Sequence, residues 1–203
     1  MKPKVISWNV RELNEYNKRL QVRNLLRQWK GNIICLQETK LEFITRKIVR
    51  SLWRGHHVGW LYLPSKGASG GVLIMFDKRV VDRLEDCVGE FTVAFSFENG
   101  FQWAFAGVYG PNIFFVIEVY NPNIDAEIRI LWEELARLLS WWELPSCIGG
   151  DFNVSRFPSE RSSMSHITPT MRGFSDFISK QALMDIPLTG GSYSWSNTRE
   201  IPS

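Results

Sequence analysis

With 203 residues, 44% of them apolar and 22% charged, the chain has the composition of a soluble globular protein with room for one sizeable core. Its most apolar run, Ile113 to Ile117, falls far short of the roughly 20 residues that a membrane span needs, and the start, MKPKVISWNV, lacks the apolar segment and cleavage site of a secretory signal. Cys35, Cys87 and Cys147 are odd in number and show no CxxC spacing, which argues against a disulfide framework or zinc site and for a reducing, intracellular compartment. The net charge of +3 hides an asymmetry: residues 1–54 carry 13 Lys/Arg against 4 Asp/Glu, the remainder 11 against 17. A basic N-terminal third can track a phosphate backbone, or can be a set of solvated helix faces.

In chain order, KVISW (4–8) predicts a short strand. Tyr16 to Trp29 predicts an amphipathic helix, with Leu20, Leu25, Leu26 and Trp29 on one side. NIICLQE (32–38) has the look of a buried strand, and Thr45 to Trp53 that of a second basic helix. GGVLIMF (70–76), FTVAFSF (91–97) and FQWAFAGVY (101–109) are further strands, the last two joined through the hairpin signal Asn99-Gly100. From Asp125, expected as the N-cap, Ile128, Leu131, Trp132, Leu135, Leu138, Leu139 and Trp142 recur at helical spacing, and Pro145 lies past the end. CIGG forms a strand leading to Asp151, Thr168-Pro169 starts a helix reaching about Leu183, and SYSWS (192–196) alternates as a strand does. Most of the nine tryptophans fall in apolar patterns and are expected in the core. Strands and helices mixed with hairpins suit two packed, largely antiparallel or mixed sheets with helices outside. No linker interrupts 1–203, so a single domain is expected.

Four polar positions stand at the C-terminal ends of apolar strands: Asn9, Glu38, Tyr109, and Asp151 with Asn153. Each has a plain alternative. Asn9 can begin a turn, Glu38 can pair with Lys40, Tyr109 can be a core ring, and Asp151 can form an Asx-turn onto Asn153. Together they make an inventory for phosphodiester hydrolysis. Glu38 is a hard oxygen ligand suited to Mg²⁺, Asp151 can deprotonate or orient a water, and Asn9, Asn153 and Tyr109 can donate to phosphoryl oxygens. The glycines before Asp151 are expected to let backbone and substrate approach closely.

SWNVRELN, LQETK, ASGGVLIMF, GVYGPN, GGDFNV and LTGGSYSWSN, in this order, resemble the motifs of the endonuclease/exonuclease/phosphatase superfamily. Within it they are most similar to the endonuclease domains of plant non-long-terminal-repeat (LINE-type) retrotransposons. The resemblance covers essentially all of 4–200. It implies an α/β fold, a four-layer α/β/β/α sandwich of two mixed sheets flanked by helices, with a Mg²⁺-dependent site at one edge (Mn²⁺ as substitute). It further implies that Asn9 lies in the site and helps hold the metal with Glu38, that Tyr109 contacts phosphate, that Asp151 acts on the water or leaving group, and that Asn153 orients the substrate. DNA as partner and the nucleus as place of action follow from the resemblance; no membrane or obligate protein partner is indicated.

Three departures stand out. The family continues past the WSN strand to a Ser-Asp-His motif, and this chain stops first. A fold lacking its last strands and a weakened or inactive copy are therefore expected. Of His56, His57 and His166, none sits in such a motif. VYGPNI (108–113) recurs as VYNPNI (119–124), making Tyr120 a rival to Tyr109. Glu12 replaces a glycine usual in the family, either weakening phosphate binding or pointing outward. The alternatives are a non-catalytic nucleic-acid-binding remnant and a phosphatase of the same superfamily.

Overall fold

Residues 3–67, 69–110, 122–160 and 166–186 are described by the structure, a computed structural model. Its elements are β1 (Val5–Asn9), α1 (Tyr16–Trp29), β2 (Ile33–Gln37), α2 (Arg46–Leu52), β3 (Val58–Lys66), β4 (Ser69–Asp77), β5 (Asp82–Val88), β6 (Thr92–Glu98), β7 (Gln102–Tyr109), α3 (Pro122–Trp142), β8 (Ser146–Asp151) and α4 (Pro169–Lys180). They form two four-stranded sheets, ordered β1-β2-β4-β3 and β5-β6-β7-β8.

Both sheets are mixed in the same way. Each has one parallel pair, β1 with β2 and β7 with β8, and otherwise antiparallel neighbours. The parallel pairs are joined through α1 and α3, as a crossover requires. Parallel strands end on the same side, so each pair delivers two chain segments to one edge of its sheet.

The period of two along the strands sorts the core. In β2, Ile33 and Cys35 face the other sheet with Phe76, Phe95, Phe97 and Phe105, while Ile34 and Leu36 face α1 and α2 with Val22, Leu26, Val49 and Leu52. In the second sheet Phe95 points inward, whereas Ala94, Ala106 and Val108 face Leu131, Leu135 and Leu138 of α3 and Phe177 and Ile178 of α4. The small alanines let the helix lie close. The result is four layers, helices–sheet–sheet–helices, as the sequence motifs imply. Glu134 of α3 also grips the turn between β5 and β6, accepting from the amides of Glu90 (2.9 Å) and Phe91 and from the Thr92 hydroxyl.

Local signals hold in several places. The α1 helix spans the expected residues, Thr45 caps α2 by accepting from the Ile48 amide, and Thr168 caps α4 with proline in its first turn. The Asn99-Gly100 turn joins β6 and β7, with Glu98 opposite Gln102. Corrections are as informative. The α3 helix begins at Pro122, so Asp125 lies within it rather than capping it; proline suits a first helical turn, where its missing N–H costs nothing. Leu20 is exposed, and the buried face of α1 is set by Val22 and Leu26 with Trp29 packed beside them. None of the eight described tryptophans is fully buried. Seven lie half-buried at the margins of the clusters, and Trp141 is 73% exposed. Strands β3 and β5 were not expected. β3 contains Pro64 and β5 is almost wholly exposed, so neither alternates in the usual way. As expected of the glycines before Asp151, Gly150 allows a close backbone approach: a Cβ there would meet the Val108 carbonyl of β7. Tyr120 and SYSWS lie outside the described residues. Among the described residues no helix is long and apolar enough to cross a membrane.

Candidate active site

Asn9 ends β1 and Glu38 directly follows β2; Tyr109 ends β7 and Asp151 ends β8. Asn9 pairs in register with Gln37, and Tyr109 with Asp151. The two parallel pairs thus place all four at sheet edges, and one bond shows that the edges meet. Asn9 Nδ2 donates to Asp151 Oδ2 at 2.7 Å, joining residues 142 apart in sequence and in different sheets.

Each plain alternative is also realised. Asn9 Oδ1 accepts from the Arg11 amide at 2.9 Å, a local turn. Asp151 Oδ1 accepts from the Asn153 amide at 3.0 Å, an Asx-turn. Glu38 lies 3.8 Å from Lys40, and the Tyr109 ring is packed in the inter-sheet core, 8% exposed. Local turn-making and convergence are therefore the same geometry. The turns aim the polar groups, and the strands bring the turns together. Arg11, Glu38, Lys40 and Asn153 all have φ between 54° and 65°, a left-handed conformation that non-glycine residues seldom adopt outside such turns.

The spacing in Asp151-Phe152-Asn153 has a packing reason. Phe152 goes the other way, into the aromatic cluster with Phe174 (5.2 Å between centroids) and Trp132 (6.3 Å). That anchor leaves Asp151 and Asn153 facing the rim. Asn153 is buried, and its Nδ2 donates to the Gly110 carbonyl at 2.7 Å, tying the β8 end to the residue after Tyr109. Sequence reasoning missed this contact, although the glycine stands inside the GVYGPN motif.

The Tyr109 phenol is pushed up to about 12, chiefly by burial, then by the charges of Glu38 and Asp151, with the Asn153 side chain partly offsetting them. Both carboxylates therefore lie near the phenol, which keeps its proton at neutral pH and can donate it. The folded state holds this proton more tightly than the unfolded chain does. That contribution to stability is whole below pH 10 and is lost as pH rises to about 12. An alkaline titration of tyrosinate absorbance should show one phenol ionising near pH 12, absent from Tyr109→Phe; the same curve from both chains would contradict this.

The donors at the rim are all oxygens and amides. Glu38 is half-buried and, among the described residues, is held only by its long contact to Lys40, so its carboxylate can take a further ligand. Asn9 Oδ1 keeps one lone pair beyond the Arg11 amide. Among the described residues no three of His, Cys, Asp and Glu gather as a closed cage. One or two carboxylates with room for water fit Mg²⁺, which keeps much of its hydration. Glu12 is exposed, as are His56, His57 and His166.

An exodeoxyribonuclease of Bacillus subtilis (strain 168) is 29% identical over 169 residues, covering 75% of this chain and 59% of that relative. The fold is similar to an AP endonuclease from Archaeoglobus fulgidus (TM-score 0.67, 16% identity, 88% of this chain and 71% of that one). It is also similar to humanized D. rerio TDP2 (TM-score 0.55, 17% identity, 74% and 62%). The chain thus spans about six-tenths of the length of the exodeoxyribonuclease and of the TDP2 structure. A family model described as Endonuclease/Exonuclease/phosphatase family matches residues 6–202. With that match over nearly the whole chain, and the two-sheet architecture shared with these structures, the chain belongs to the endonuclease/exonuclease/phosphatase family.

Proposed function

We propose that this chain is a Mg²⁺-dependent phosphodiesterase of retroelement origin that nicks DNA, acting in the nucleus. The observation that carries the chemistry is the Asn9–Asp151 bond between the sheets, at the edge where the strands leading to Glu38 and Tyr109 also end. Asp151 accepts from Asn9 through one oxygen and from Asn153 through the other, and each oxygen retains a lone pair for a water. The carboxylate is held in place to orient that water and take its proton. Asn9, Asn153 and the protonated Tyr109 supply donors to the phosphoryl oxygens as charge builds. Glu38, with Asn9, would hold a divalent cation, which when bound would further neutralise that charge.

DNA as substrate is supported by the outer layer. The α1 and α2 helices carry Lys18, Arg19, Arg23, Arg27, Arg46, Lys47 and Arg50 and no acidic residue. The order of motifs along the chain supports a retroelement source. The test is conversion of supercoiled plasmid to the nicked form by the folded chain, with and without Mg²⁺. Nicking that needs Mg²⁺ supports the reading, and a folded chain that binds DNA yet never nicks it would leave a non-catalytic binding protein. Glu38→Ala should weaken Mg²⁺ binding by roughly tenfold or more, since even outer contacts to a metal ligand are worth about that. Titration calorimetry would measure it, and unchanged affinity would remove Glu38 from the metal site.

A further inference from the structure

Gly70 and Gly71 lie in the first residues of β4, at the rim that carries Glu38, and none of the roles above uses them. Their φ values are 80° and 86°, a region open to glycine and strained for other residues. Their carbonyls accept from the two amides that follow Glu38: Thr39 N to Gly71 O at 3.1 Å, and Lys40 N to Gly70 O at 3.0 Å. Glu38 and Lys40 are both left-handed, so these bonds hold a segment bent against ordinary backbone preference. Thr39, between them, is completely buried, and its hydroxyl has no hydrogen-bond partner among the described residues. It is held by fit. A Cβ on Gly71 would come 2.5 Å from Thr39 Oγ1. On the other side, a Cβ on Gly70 would lie 3.6 Å from two ring atoms of Tyr109. The glycine pair therefore touches the Glu38 segment in one sheet and the Tyr109 ring in the other.

We propose that Gly70-Gly71 is a positioning element: by bonding the two amides after Glu38 and leaving room for Thr39, it fixes how the Glu38 carboxylate meets a divalent cation. This rests on the reading of Glu38 as the cation-holding carboxylate. The probe is Mn²⁺ alone, titrated calorimetrically into the whole chain, into Glu38→Ala, Gly71→Ala, Gly70→Ala and Thr39→Ala, and into the Gly71→Ala/Thr39→Ala double variant. Melting temperatures are recorded alongside.

Gly71→Ala should bind Mn²⁺ about tenfold more weakly, in the range seen when outer contacts of a metal ligand are lost. Thr39→Ala should bind as the parent does, and the double variant should regain most of the affinity, because the added carbon then meets no hydroxyl. Both Gly71→Ala chains should melt lower than the parent, since the backbone strain remains in each. A merely structural role would lower melting without altering affinity. Gly70→Ala, whose added carbon meets Tyr109 at ordinary contact distance, answers the question if Gly71→Ala does not fold, and should also bind more weakly. Parent-like affinity in both glycine variants, beside a weakened Glu38→Ala, would overturn the positioning role alone. Undiminished binding in Glu38→Ala would overturn the reading of Glu38, and a parent chain that takes no Mn²⁺ would overturn both.

Discussion

Replacing Asp151 with alanine should lower Mg²⁺-dependent plasmid nicking by about 10²–10⁴-fold, the usual contribution of a positioned acid or base. The substitution removes the acceptor for the water and also the acceptor for Asn9 Nδ2 and the Asn153 amide. Two consequences must therefore be separated. Lost orientation of Asn9 and Asn153 costs donors to the phosphate, while the lost carboxylate costs the proton acceptor. Asp151→Asn divides them: its side-chain oxygen can still accept one of the two hydrogen bonds, but it cannot take a proton. Nicking absent from both variants, in chains that keep the parent circular dichroism, assigns the main effect to the carboxylate. An Asp151→Ala chain that nicks as fast as its parent would show that the chemistry happens elsewhere.

Phe95→Ala should have the largest effect on stability. Phe95 is fully buried between the sheets, with Phe76 at 5.3 Å and Phe97 at 5.4 Å between ring centroids. Removing the ring loses its transfer free energy and leaves a cavity that both sheets must partly collapse to fill. Such substitutions cost about 3–5 kcal/mol, which in a chain of this size lowers the melting temperature by on the order of 10 °C. Trp141→Ala is the matched control: a larger side chain, but 73% exposed, so its removal should change stability by no more than about 0.5 kcal/mol. Thermal melting followed by circular dichroism distinguishes them. Equal shifts in the two variants would mean that the sheets are not held as described.

The sequence was most readable where one local rule acted alone. The α1 span, the Thr168 cap and the Asn99-Gly100 hairpin each rest on a few neighbouring residues, and each stands where expected. β5 was not readable, because an edge strand exposed on most of its length leaves no apolar alternation to find. Tryptophan misled for a related reason. Its indole joins apolar patterns, yet it is too large to be covered completely at the margin of a thin layer. For the site, strand ends were enough to nominate Asn9, Glu38, Tyr109, Asp151 and Asn153, and the structure brings Asn9, Asp151, Asn153 and Tyr109 into contact or near contact. Which partners they would choose was not legible. The Asn9–Asp151 bond and the Asn153–Gly110 bond depend on sheet docking, which no local pattern encodes. Gly70 and Gly71 were visible as a motif, but their neighbours Thr39 and Tyr109 were not.

The bond between Asn9 and Asp151 has a consequence in time as well as in space. One partner comes from the first strand and the other from the last strand described, 142 residues later. Contacts of such separation form only after the intervening chain has closed its loop. A polypeptide still emerging from the ribosome can complete its first sheet, with Asn9 and Glu38 at its edge, and still lack Tyr109, Asp151 and Asn153. Loosening either sheet later separates the same groups again. The meeting of Asn9 with Asp151 is thus coupled to completion of the fold, and on the proposed function any cutting would wait for it.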